Sequence, residues 1–556
     1  PKPTATVVSI ASMGSPTPRP ASSAPSSTDS SSKPPLSRGR RLIEVLTVSV
    51  VGGLVLYLGI RFWSTGPLVG VGFAIMMLPS VVQRWQAPML GFVPGFTLFA
   101  FAANYTLRKY AWYAVALLVP LLHWHLVLMA LYAYVLYRAT RWPAYVVYPL
   151  AMGAEEWLRT WIGLGNFNMY QAGTFLFAWP TLTQAADLVG GLGLTVLYAV
   201  PLGFLAELAR RRIDGPALTG GPPLVWGAGA ALAVLVIVPG YGNWRLSQEP
   251  FQSGPRIAIV QPSQEHGVGR TQAVVQFQQS FTAQNVAAGA ADLIVWPENS
   301  ILRPYERSED YQNVVKWLTS TKKTPLLFGA QSTDERGERP TASSLLVDES
   351  GEILGRYDKM FLFPFTERRV FTWLDHVWPQ LSVQIRELTR RAWGVAPDGR
   401  PGRHASVHTL PVDGQEWKFW TPLCYDSCYS SIGREAVANG ARFFINMTSE
   451  GWNGWGVLHN QMAVNTLRAV ENRVGVARVG NTGISCFILP DGRLEKVLIG
   501  ELGRRVLDKG VLIGRVKADE RWPTFYARIG DLLDPLWPVL WLLATVFGFA
   551  RRVWVG

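Results

Sequence analysis

The chain has 556 residues, of which 49% are hydrophobic and only 16% are charged, whereas roughly a quarter of the residues in an ordinary soluble domain are charged. Together with 23 tryptophans and a mean hydropathy of +0.14, this composition argues against a single soluble globule and favours a membrane protein. The net charge of +13 comes without a basic nucleic-acid-reading motif, so no nucleic acid partner is expected. Three cysteines exclude a disulfide-rich scaffold and a metal site of four thiolates.

Residues 1–41 are predicted to form a disordered N-terminal tail. Residues 1–37 are mostly Pro, Ser, Thr and Ala, so they cannot bury enough apolar surface to offset the entropy of ordering. This stretch also lacks the apolar centre of a cleavable signal peptide. A run of arginines then precedes the first long apolar segment.

Residues 42–242 are predicted to form a membrane domain with about seven transmembrane helices. This region is a succession of apolar stretches close to the roughly 20 residues that a helix needs to cross a bilayer. The predicted spans are 42–62, 66–82, 88–105, 110–137, 143–162, 186–208 and 223–241. A further span at 532–550, near the C-terminus, brings the predicted total to about eight.

The basic residues that flank these spans predict the orientation of the chain. Seven spans that start from a cytoplasmic N-terminus place most of the flanking arginines on one side: Arg38, Arg40, Arg41, Arg84, Arg138, Arg141, Arg210, Arg211, Arg212, Arg551 and Arg552. The opposite side receives only Arg61, Arg108, Lys109 and Arg159. Because cytoplasmic loops carry an excess of Lys and Arg, residues between about 242 and 531 are predicted to lie outside the cytoplasm.

Residues 250–522 have the sequence pattern of a separate α/β domain. Short β-rich runs lie at 256–260, 292–296, 325–329, 343–348, 418–424, 441–447, 474–480 and 485–490. Helix-like stretches at 271–290, 308–321 and 457–473 separate several of them, which is typical of a layered α/β fold. The stretch 371–403 has three tryptophans among charged residues and is interpreted as an insertion or lid.

Three positions in this domain carry side chains suited to covalent catalysis. The segment IVWPE ends an apolar strand in Glu298, and GRYDKMFLFPFTE contains Lys359 and Glu367. In TPLCYDSCY a strand runs into Cys424, close to the expected start of a helix, whose unpaired N–H groups would lower the pKa of the thiol. Each residue alone also fits a plainer role, as a surface glutamate, a solvated lysine or a buried structural cysteine.

Taken together, the three groups have a chemical logic. A thiolate attacks an acyl carbonyl, a carboxylate takes and returns protons, and an ammonium stabilises the tetrahedral oxyanion. The order Glu298, Lys359, Cys424 resembles the nitrilase (carbon–nitrogen hydrolase) superfamily over about 256–500, which implies an αββα domain. The block 446–483 resembles the superfamily's helix and strand after the nucleophile, through Trp452, Gln461, Arg468, Glu471, Arg473 and Asn481.

Metal catalysis is the competing chemistry. The seven histidines form no H-E-x-x-H motif and no Cys/His spacing typical of a zinc site. His123 and His125 lie two residues apart in an apolar span, so on a helix they would face different sides. No metal and no other cofactor is expected.

The membrane part narrows the resemblance. The block EEWLRTWIGLGNFNMYQAGTF (155–175) is similar to the corresponding block of the apolipoprotein N-acyltransferases, the membrane-embedded relatives of nitrilases. These bacterial inner-membrane enzymes combine a helical bundle, an extracytoplasmic nitrilase-like domain and a C-terminal helix, in the order predicted here. The resemblance implies that an acyl chain moves from a phospholipid to Cys424, and then to the α-amino group of the S-diacylglyceryl cysteine of an apolipoprotein.

The resemblance also assigns supporting residues. Glu367 matches the family's second acidic residue and is implied to assist the proton relay or to position Lys359. Asp426 stands where these acyltransferases usually have Glu, and a backbone N–H near Tyr425 is expected to share the oxyanion with Lys359. Possible substrate-binding residues are Trp452, Asn481, Trp157 and Arg159. The Phe-Pro-Trp element that usually follows the EWLR helix is replaced by Asn166-Phe167-Asn168-Met169, so its lipid contacts do not carry over.

Two other functions remain open at this stage. A membrane-tethered amidase of the nitrilase type would use the same triad, but water rather than an amine would resolve the thioester. A membrane binding protein on a degenerate nitrilase scaffold would be expected to lose at least one member of the triad, which is intact here. The protein is expected to be a monomer whose other partners are membrane lipids.

Overall fold

A computed structural model gives the architecture of the chain. It describes residues 37–103, 126–161, 168–215, 223–248, 251–264, 272–333, 340–364, 366–370, 372–393, 399–450 and 455–555. Most of the predicted N-terminal tail therefore lies outside the described residues. Residues 110–125 of the predicted fourth span also lie outside them. Helix α1 begins at Arg38, inside the range 1–41 predicted to be disordered, because the Ser37 hydroxyl caps the helix by accepting a hydrogen bond from the Arg40 N–H at 3.3 Å.

The described N-terminal region consists of α-helices that pack against one another. Their bounds are α1 Arg38–Arg61, α2 Leu68–Val81, α3 Pro88–Ala103, α4 Leu126–Thr140, α5 Ala144–Trp161, α6 Pro180–Thr183, α7 Ala186–Asp214 and α8 Leu224–Leu246. Short 3-10 helices lie at Trp63–Thr65 and Ala172–Ala178. Small residues let the helices approach closely, since a Cβ on Gly53 of α1 would lie 2.1 Å from the carbonyl oxygen of Gly95 on α3.

Among the described residues, four helices are long and apolar enough to cross a membrane. They are Arg38–Arg61, Ala186–Asp214, Leu224–Leu246 and Phe525–Trp554, and shorter apolar helices cover Leu68–Val81, Pro88–Ala100 and Val127–Thr140. Helix α5 does not join this group because its last turns carry Glu155, Glu156 and Arg159, all buried inside the protein. A membrane bundle is thus supported, and the total of about eight spans stays a prediction.

The segment after α8 folds into two β-sheets. The strands are β1 Gln252–Gln261, β2 Leu293–Val295, β3 Ile301–Pro304, β4 Leu326–Thr333, β5 Pro340–Val347, β6 Ile353–Asp358, β7 Val407–Val412, β8 Gln415–Trp420, β9 Phe443–Thr448, β10 Gly475–Gly480, β11 Cys486–Ile488, β12 Leu494–Val497 and β13 Gly510–Ala518. The first sheet has the order β13-β1-β2-β4-β5-β6, with β3 also paired to β4. The second sheet has the order β12-β11-β10-β9-β8-β7. The predicted α/β domain is confirmed.

Helices cover these sheets and lead back to the membrane. They are α9 Gln272–Asn285, α10 Glu309–Lys322, α11 Leu374–Val377, α12 Pro379–Trp393, α13 Ser430–Ala438, α14 Trp455–Asn472, α15 Phe525–Leu533 and α16 Leu536–Val555. The predicted insertion 371–403 contains α11 and α12, with exposed Trp373 and Trp378. Further 3-10 helices lie at Tyr305–Arg307 and Cys424–Cys428.

Alternating side chains of β1 show how the layers stack. Ile257 and Ile259 point into a core shared with the second sheet, whereas Ala258 and Val260 belong to a core with α9 and α10. Because successive side chains of a strand face opposite sides, the sheets pack face to face and α9 and α10 cover the outside of the first sheet. The strand β2 runs parallel to β1 in the first sheet, and β8 runs parallel to β9 in the second sheet. Because the two sheets face each other, polar side chains that follow β2 and β8 can meet.

Helix α14 joins the two-sheet domain to the N-terminal helices. It is the crossover between the parallel strands β9 and β10. Near its end, Glu471 Oε1 accepts a hydrogen bond from the Gly191 N–H of α7 at 2.7 Å, and Arg473 Nη1 donates to Gln184 Oε1 at 2.8 Å. Gly190, at φ +68°, kinks α7 here, and a Cβ at this position would lie 2.3 Å from the Tyr526 ring. The two parts of the chain therefore meet through buried polar contacts.

Candidate active site

Cys424 lies at a tight turn after the strand β8. It is the first residue of the 3-10 helix Cys424–Cys428, and its φ of +46° falls in the left-handed region that non-glycine residues rarely adopt. Such strain is held in place only when the surroundings determine the backbone, and it is common at reactive residues. Cys424 is buried, with 8% of its surface exposed.

Glu298 follows the strand β2 and reaches the same place from the first sheet. Its side chain is buried, and its Oε1 accepts a hydrogen bond from Lys359 Nζ at 2.9 Å. Its Oε2 accepts from the Ser449 N–H at 3.0 Å, which anchors the carboxylate to the end of β9. Gly329 on β4 lies directly behind, since a Cβ there would be 2.6 Å from the Cα of Glu298. The carboxylate is thus held by two hydrogen bonds, and its backbone packs against β4.

Lys359 follows β6 and bridges two carboxylates. Its Nζ donates to Glu298 Oε1 and, at 2.7 Å, to Glu367 Oε1. The second carboxylate is itself positioned, because Glu367 Oε2 accepts from the Phe363 N–H at 2.6 Å. The lysine is 1% exposed. A single buried ammonium is therefore held in place by two negative charges.

The charges of this cluster act on the thiol. Burial raises the pKa of Cys424 well above its usual value; the Glu298 carboxylate raises it further, and Lys359 lowers it. The expectation that nearby helix N–H groups lower this pKa is therefore wrong, because desolvation disfavours the thiolate in a buried site beside a carboxylate. Burial also raises the pKa of Glu298. At rest, Cys424 is a thiol that needs a base.

Lys359 remains a cation in this setting. Burial lowers its pKa, but the carboxylates of Glu298 and Glu367 outweigh burial and hold the pKa well above its usual value. The cluster therefore combines a carboxylate able to accept a proton with a fixed positive charge. This is the pairing that acyl transfer through a thiol requires.

Asp426 ties the lysine loop to the cysteine turn. Its carboxylate accepts hydrogen bonds from the Tyr357 hydroxyl at 2.7 Å and from the backbone N–H groups of Phe361, Met360 and Leu423 at 2.8, 3.2 and 3.3 Å. Burial raises the pKa of Asp426 to about 7, although Lys359 and these donors lower it. The shorter carboxylate thus supports the site through its neighbours rather than by contact with Glu298.

The chain after α5 braces the cysteine helix from the membrane side. The Asn168 N–H donates to the Tyr425 hydroxyl at 2.7 Å, and Asn168 Nδ2 donates to the Cys428 carbonyl at 2.8 Å. Cys428 contacts Gln461 Nε2 through its Sγ at 3.8 Å, and burial raises its pKa to about 12, as suits a packing residue. The sequence singled out Asn168 only as a departure from the family pattern, so this bracing role went unpredicted.

The residues suggested for substrate binding do not all approach the cluster. Asn481 clamps the turn after β1, because its Nδ2 donates to the Gln264 carbonyl at 2.9 Å and its Oδ1 accepts from the Gln264 N–H at 3.0 Å. Arg159 is buried, 3.6 Å from both Glu155 and Glu156. Trp157 lines a cavity beyond Asn168, and Trp452 lies outside the described residues.

A further buried carboxylate stands beside the cluster without having been predicted. Glu450 forms an ion pair with Arg478 of β10, and its charge raises the pKa of Cys424. The available signal was an acidic residue at the end of the apolar strand β9, two residues before Trp452. Among the described residues, no group of three or more His, Cys, Asp or Glu side chains is arranged to hold a metal ion.

Comparison with known proteins identifies the family. The carbon–nitrogen hydrolase family model matches residues 256–516, and the model of the apolipoprotein N-acyltransferase N-terminal domain matches residues 52–201. A protein named apolipoprotein N-acyltransferase from Geobacter metallireducens is 24% identical over 522 residues, which cover 91% of this chain and 95% of the relative. The chain belongs to the apolipoprotein N-acyltransferase family.

A second protein of the same name and one solved structure are also similar to this chain. A second apolipoprotein N-acyltransferase, from Chlorobaculum tepidum, is 30% identical over 266 residues, covering 42% of this chain and 46% of the relative. Among solved structures, a variant of the Nesterenkonia AN1 amidase from the nitrilase superfamily is 18% identical, covers 50% of this chain and 95% of its own, and gives a TM-score of 0.35. Membership confirms the resemblance found in residues 155–175 and 446–483.

Proposed function

We propose that this protein is an N-acyltransferase that moves a fatty acyl chain from a membrane phospholipid, through a thioester on Cys424, to the α-amino group of the S-diacylglyceryl cysteine of an apolipoprotein. The observation that carries the proposal is the cluster beside Cys424, in which the buried Glu298 and Lys359 are joined by the half-buried Glu367. It lies in a chain that matches both parts of the acyltransferase family.

In the first half-reaction, Cys424 attacks the carbonyl carbon of a phospholipid ester. Glu298 takes the thiol proton as the carbon–sulfur bond forms, and Lys359 stabilises the tetrahedral oxyanion, together with a backbone N–H near Tyr425. The intermediate collapses when the carbon–oxygen bond breaks, and Glu298 returns the proton to the departing alkoxide. The products are a thioester on Cys424 and a lysophospholipid.

In the second half-reaction, the α-amino group of the acceptor attacks the thioester in its neutral form. Glu298 takes the amine proton as the carbon–nitrogen bond forms, and the same donors hold the oxyanion. The carbon–sulfur bond then breaks, and the proton returns from Glu298 to the leaving sulfur. The resting thiol is restored, in keeping with the raised pKa of Cys424.

The membrane helices favour transfer over hydrolysis. An amidase would share the first half-reaction and differ only in using water, but it has no need of helices such as α1, α7 and α8, which are long enough to span a bilayer. The proposed donor and the lipid-anchored acceptor are both membrane-bound, so membrane helices would hold the active site close to both substrates. We place the protein in the bacterial inner membrane, with its catalytic domain on the extracytoplasmic side.

The test is mass spectrometry of the intact protein after incubation with a phospholipid. The mass should rise by one acyl chain on Cys424 and fall again on a chase with a diacylglyceryl peptide, which becomes N-acylated. Cys424→Ala should not gain mass, while the matched control Cys486→Ala, a buried cysteine of β11, should react normally. Loss of the acyl chain to water with unmodified peptide would favour the amidase, and acylation of Cys424→Ala would overturn the nucleophile assignment.

A further inference from the structure

A polar cavity lies at the seam between the membrane helices and the catalytic domain, apart from the Glu298–Lys359 cluster. Its volume is about 150 Å³, several times what a single water molecule needs. It is enclosed by the end of α5, the start of α13, the last turns of α14 and the junction between α15 and α16. None of the proposed catalytic steps uses it.

One side of the cavity is suited to an anion. Helix α13 begins at Ser430 with no side chain capping its first N–H groups, and both Ser430 and Ser431 line the cavity. Arg468 also lines it and is 3% exposed; its Nε and Nη2 engage Glu471 at 2.8 and 2.9 Å. Its Nη1 has no hydrogen-bond partner among the described residues. A helix start beside a guanidinium is a favourable place for a phosphate.

The opposite side is suited to a cation. Glu156 is fully buried and lines the cavity; its Oε1 accepts from the Ala172 N–H at 2.9 Å and lies 3.6 Å from Arg159 Nη2, while its Oε2 has no hydrogen-bond partner among the described residues. Trp157 and Trp161 stand beside it, with ring centroids 6.2 Å apart. Carboxylates and indole faces together attract an ammonium group.

The overall charge of the lining argues for a ligand that carries both signs. Four carboxylates line the cavity against two guanidinium groups, namely Glu156, Glu471, Asp531 and Asp534 against Arg434 and Arg468. A purely anionic ligand would face this negative excess. A phosphate joined to an ammonium satisfies both sides at once.

The most exposed side chains of the cavity lining are Trp161, which is 50% exposed, and Asp531, whose side chain is 78% exposed. The lining also adjoins a segment, Phe525–Trp554, that is long and apolar enough to cross a membrane. Helix α16 begins at Leu536, directly after Pro535 of the cavity wall. Tryptophans at the ends of membrane helices are typical of the bilayer–water interface.

We propose that this cavity is a binding site for the head group of a zwitterionic phospholipid. The phosphate lies at the start of α13 beside Arg468, and the ammonium lies on Glu156 between Trp157 and Trp161. A lipid bound here braces the contact between the membrane helices and the helix that follows Cys424. The site does not depend on the proposed acyl transfer, because a head group binds whether or not its acyl chain reaches the thiol.

The experiment counts retained lipids on the full-length Cys424→Ala variant, which cannot form a thioester, by native mass spectrometry in detergent. Dioleoyl phosphatidylethanolamine and dioleoyl phosphatidylglycerol are offered at equal concentration. We expect phosphatidylethanolamine to be retained at least tenfold over phosphatidylglycerol, with at least one molecule per protein. Adding Ser431→Phe, which fills the cavity, should lower the number of retained phosphatidylethanolamine molecules by one. The matched control Ser320→Phe, on the exposed face of α10, should not change it.

A second variant keeps the test independent of filling effects. Glu156→Gln removes the ammonium contact with little change in shape, so the preference for phosphatidylethanolamine over phosphatidylglycerol should fall at least fivefold. An unchanged preference in Glu156→Gln, or unchanged retention in Ser431→Phe, overturns the proposal. Displacement of the lipid by an equal concentration of free phosphoethanolamine would overturn the lipid assignment in favour of a soluble ligand.

Discussion

Lys359 is the residue on which the electrostatics of the site depend. Without it, Glu298 and Glu367 would face each other with no intervening cation, so the pKa of Glu298 would rise further and the base would be lost along with the oxyanion donor. Lys359→Met should therefore lower the rate of thioester formation by roughly 100-fold or more, as loss of an oxyanion donor does elsewhere.

The measurement is single-turnover acylation followed by intact mass. Lys322→Met is the matched control, because Lys322 is also a largely buried lysine, with its Nζ 2.6 Å from the Ala283 carbonyl oxygen, but it lies on α10 away from the cluster. We expect the control to acylate within about twofold of the parent. A normal acylation rate in Lys359→Met would make this lysine structural.

The pH dependence of acylation should report Glu298. A general base works in its deprotonated form, and burial raises the pKa of Glu298 above the ordinary value of 4.5. The rate of thioester formation should therefore fall, as pH is lowered, around a midpoint above that value. Because the charge of Glu367 contributes to the raised pKa, Glu367→Gln should move the midpoint down. A midpoint unaffected by Glu367→Gln would contradict this assignment.

Asp426 offers a test of positioning. The Asp426 carboxylate only accepts hydrogen bonds, and one of its donors is the backbone N–H of Phe361, which cannot turn away. Asp426→Asn would turn an amide N–H toward such donors, so we expect a loss of about 1.5–3 kcal/mol in the free energy of unfolding and slower acylation. A double-mutant cycle with Tyr357→Phe, whose hydroxyl donates at 2.7 Å, should be non-additive. Additive losses would show that the two groups are not coupled.

Glu298 and Cys424 could be predicted from sequence because each one follows an apolar strand, and the ends of such strands are visible in the pattern of apolar residues. Lys359 follows the half-exposed strand β6, so it was singled out by its position before the apolar run FLFPF and by the family resemblance. Their partners could not be predicted in the same way. The Ser449 N–H and the Asn168 side chain come from segments more than a hundred residues away from the groups they contact, so only the packed fold brings them together. The prediction of a lowered pKa for Cys424 was wrong for the same reason, because burial of the thiol depends on the packing of the whole site.

At the scale of elements, the position of the Glu298 carboxylate depends on the close approach of β4 to the loop after β2. A Cβ on Gly329 would lie 2.6 Å from the Cα of Glu298 and 2.7 Å from the N of Asn299, both backbone atoms that cannot rotate away. Gly329→Ala should cost about 1–3 kcal/mol of stability through overpacking and slow acylation by roughly 100-fold if the carboxylate is displaced by about 1 Å.

Gly433→Ala supplies the matched control for this substitution. A Cβ there meets its nearest neighbour, Asn472 Nδ2, at an ordinary 3.4 Å, and the position lies within helix α13. Since alanine is favoured over glycine inside a helix, the thermal midpoint should stay the same or rise. Equal activity and stability for Gly329→Ala and Gly433→Ala would show that the loop tolerates the shift.

The strands that the sequence pattern missed share one physical feature. The predicted runs appear as β1, β2, β4, β5, β8, β9, β10 and β11, which are mostly buried. The missed strands are β3, β6, β7, β12 and β13, and none of them is buried along its whole length. Edge and half-buried strands lack a continuous apolar run, so their pairing depends on neighbours and is not visible in local sequence.

At the scale of the whole molecule, a single helix decides which side of the membrane the catalytic domain occupies. Helix α8 is long and apolar enough to cross, and it separates the arginine-rich end of α7 from β1. If α8 spans the bilayer, Arg212 and the catalytic domain lie on opposite sides, whatever the number of earlier spans. The excess of arginines on the Arg212 side favours the cytoplasm for that side.

Thiol labelling of bacterial spheroplasts tests this placement. The three native cysteines are buried, so an introduced surface cysteine reports its own location. Glu349→Cys, at an exposed turn after β5, should react with a membrane-impermeant reagent in intact spheroplasts, because the catalytic domain faces outward. Arg212→Cys, at the exposed end of α7, should react only after lysis, because the positive charges of its segment keep it in the cytoplasm. The reverse pattern would invert the topology, and labelling of both sites before lysis would mean that α8 does not span the membrane.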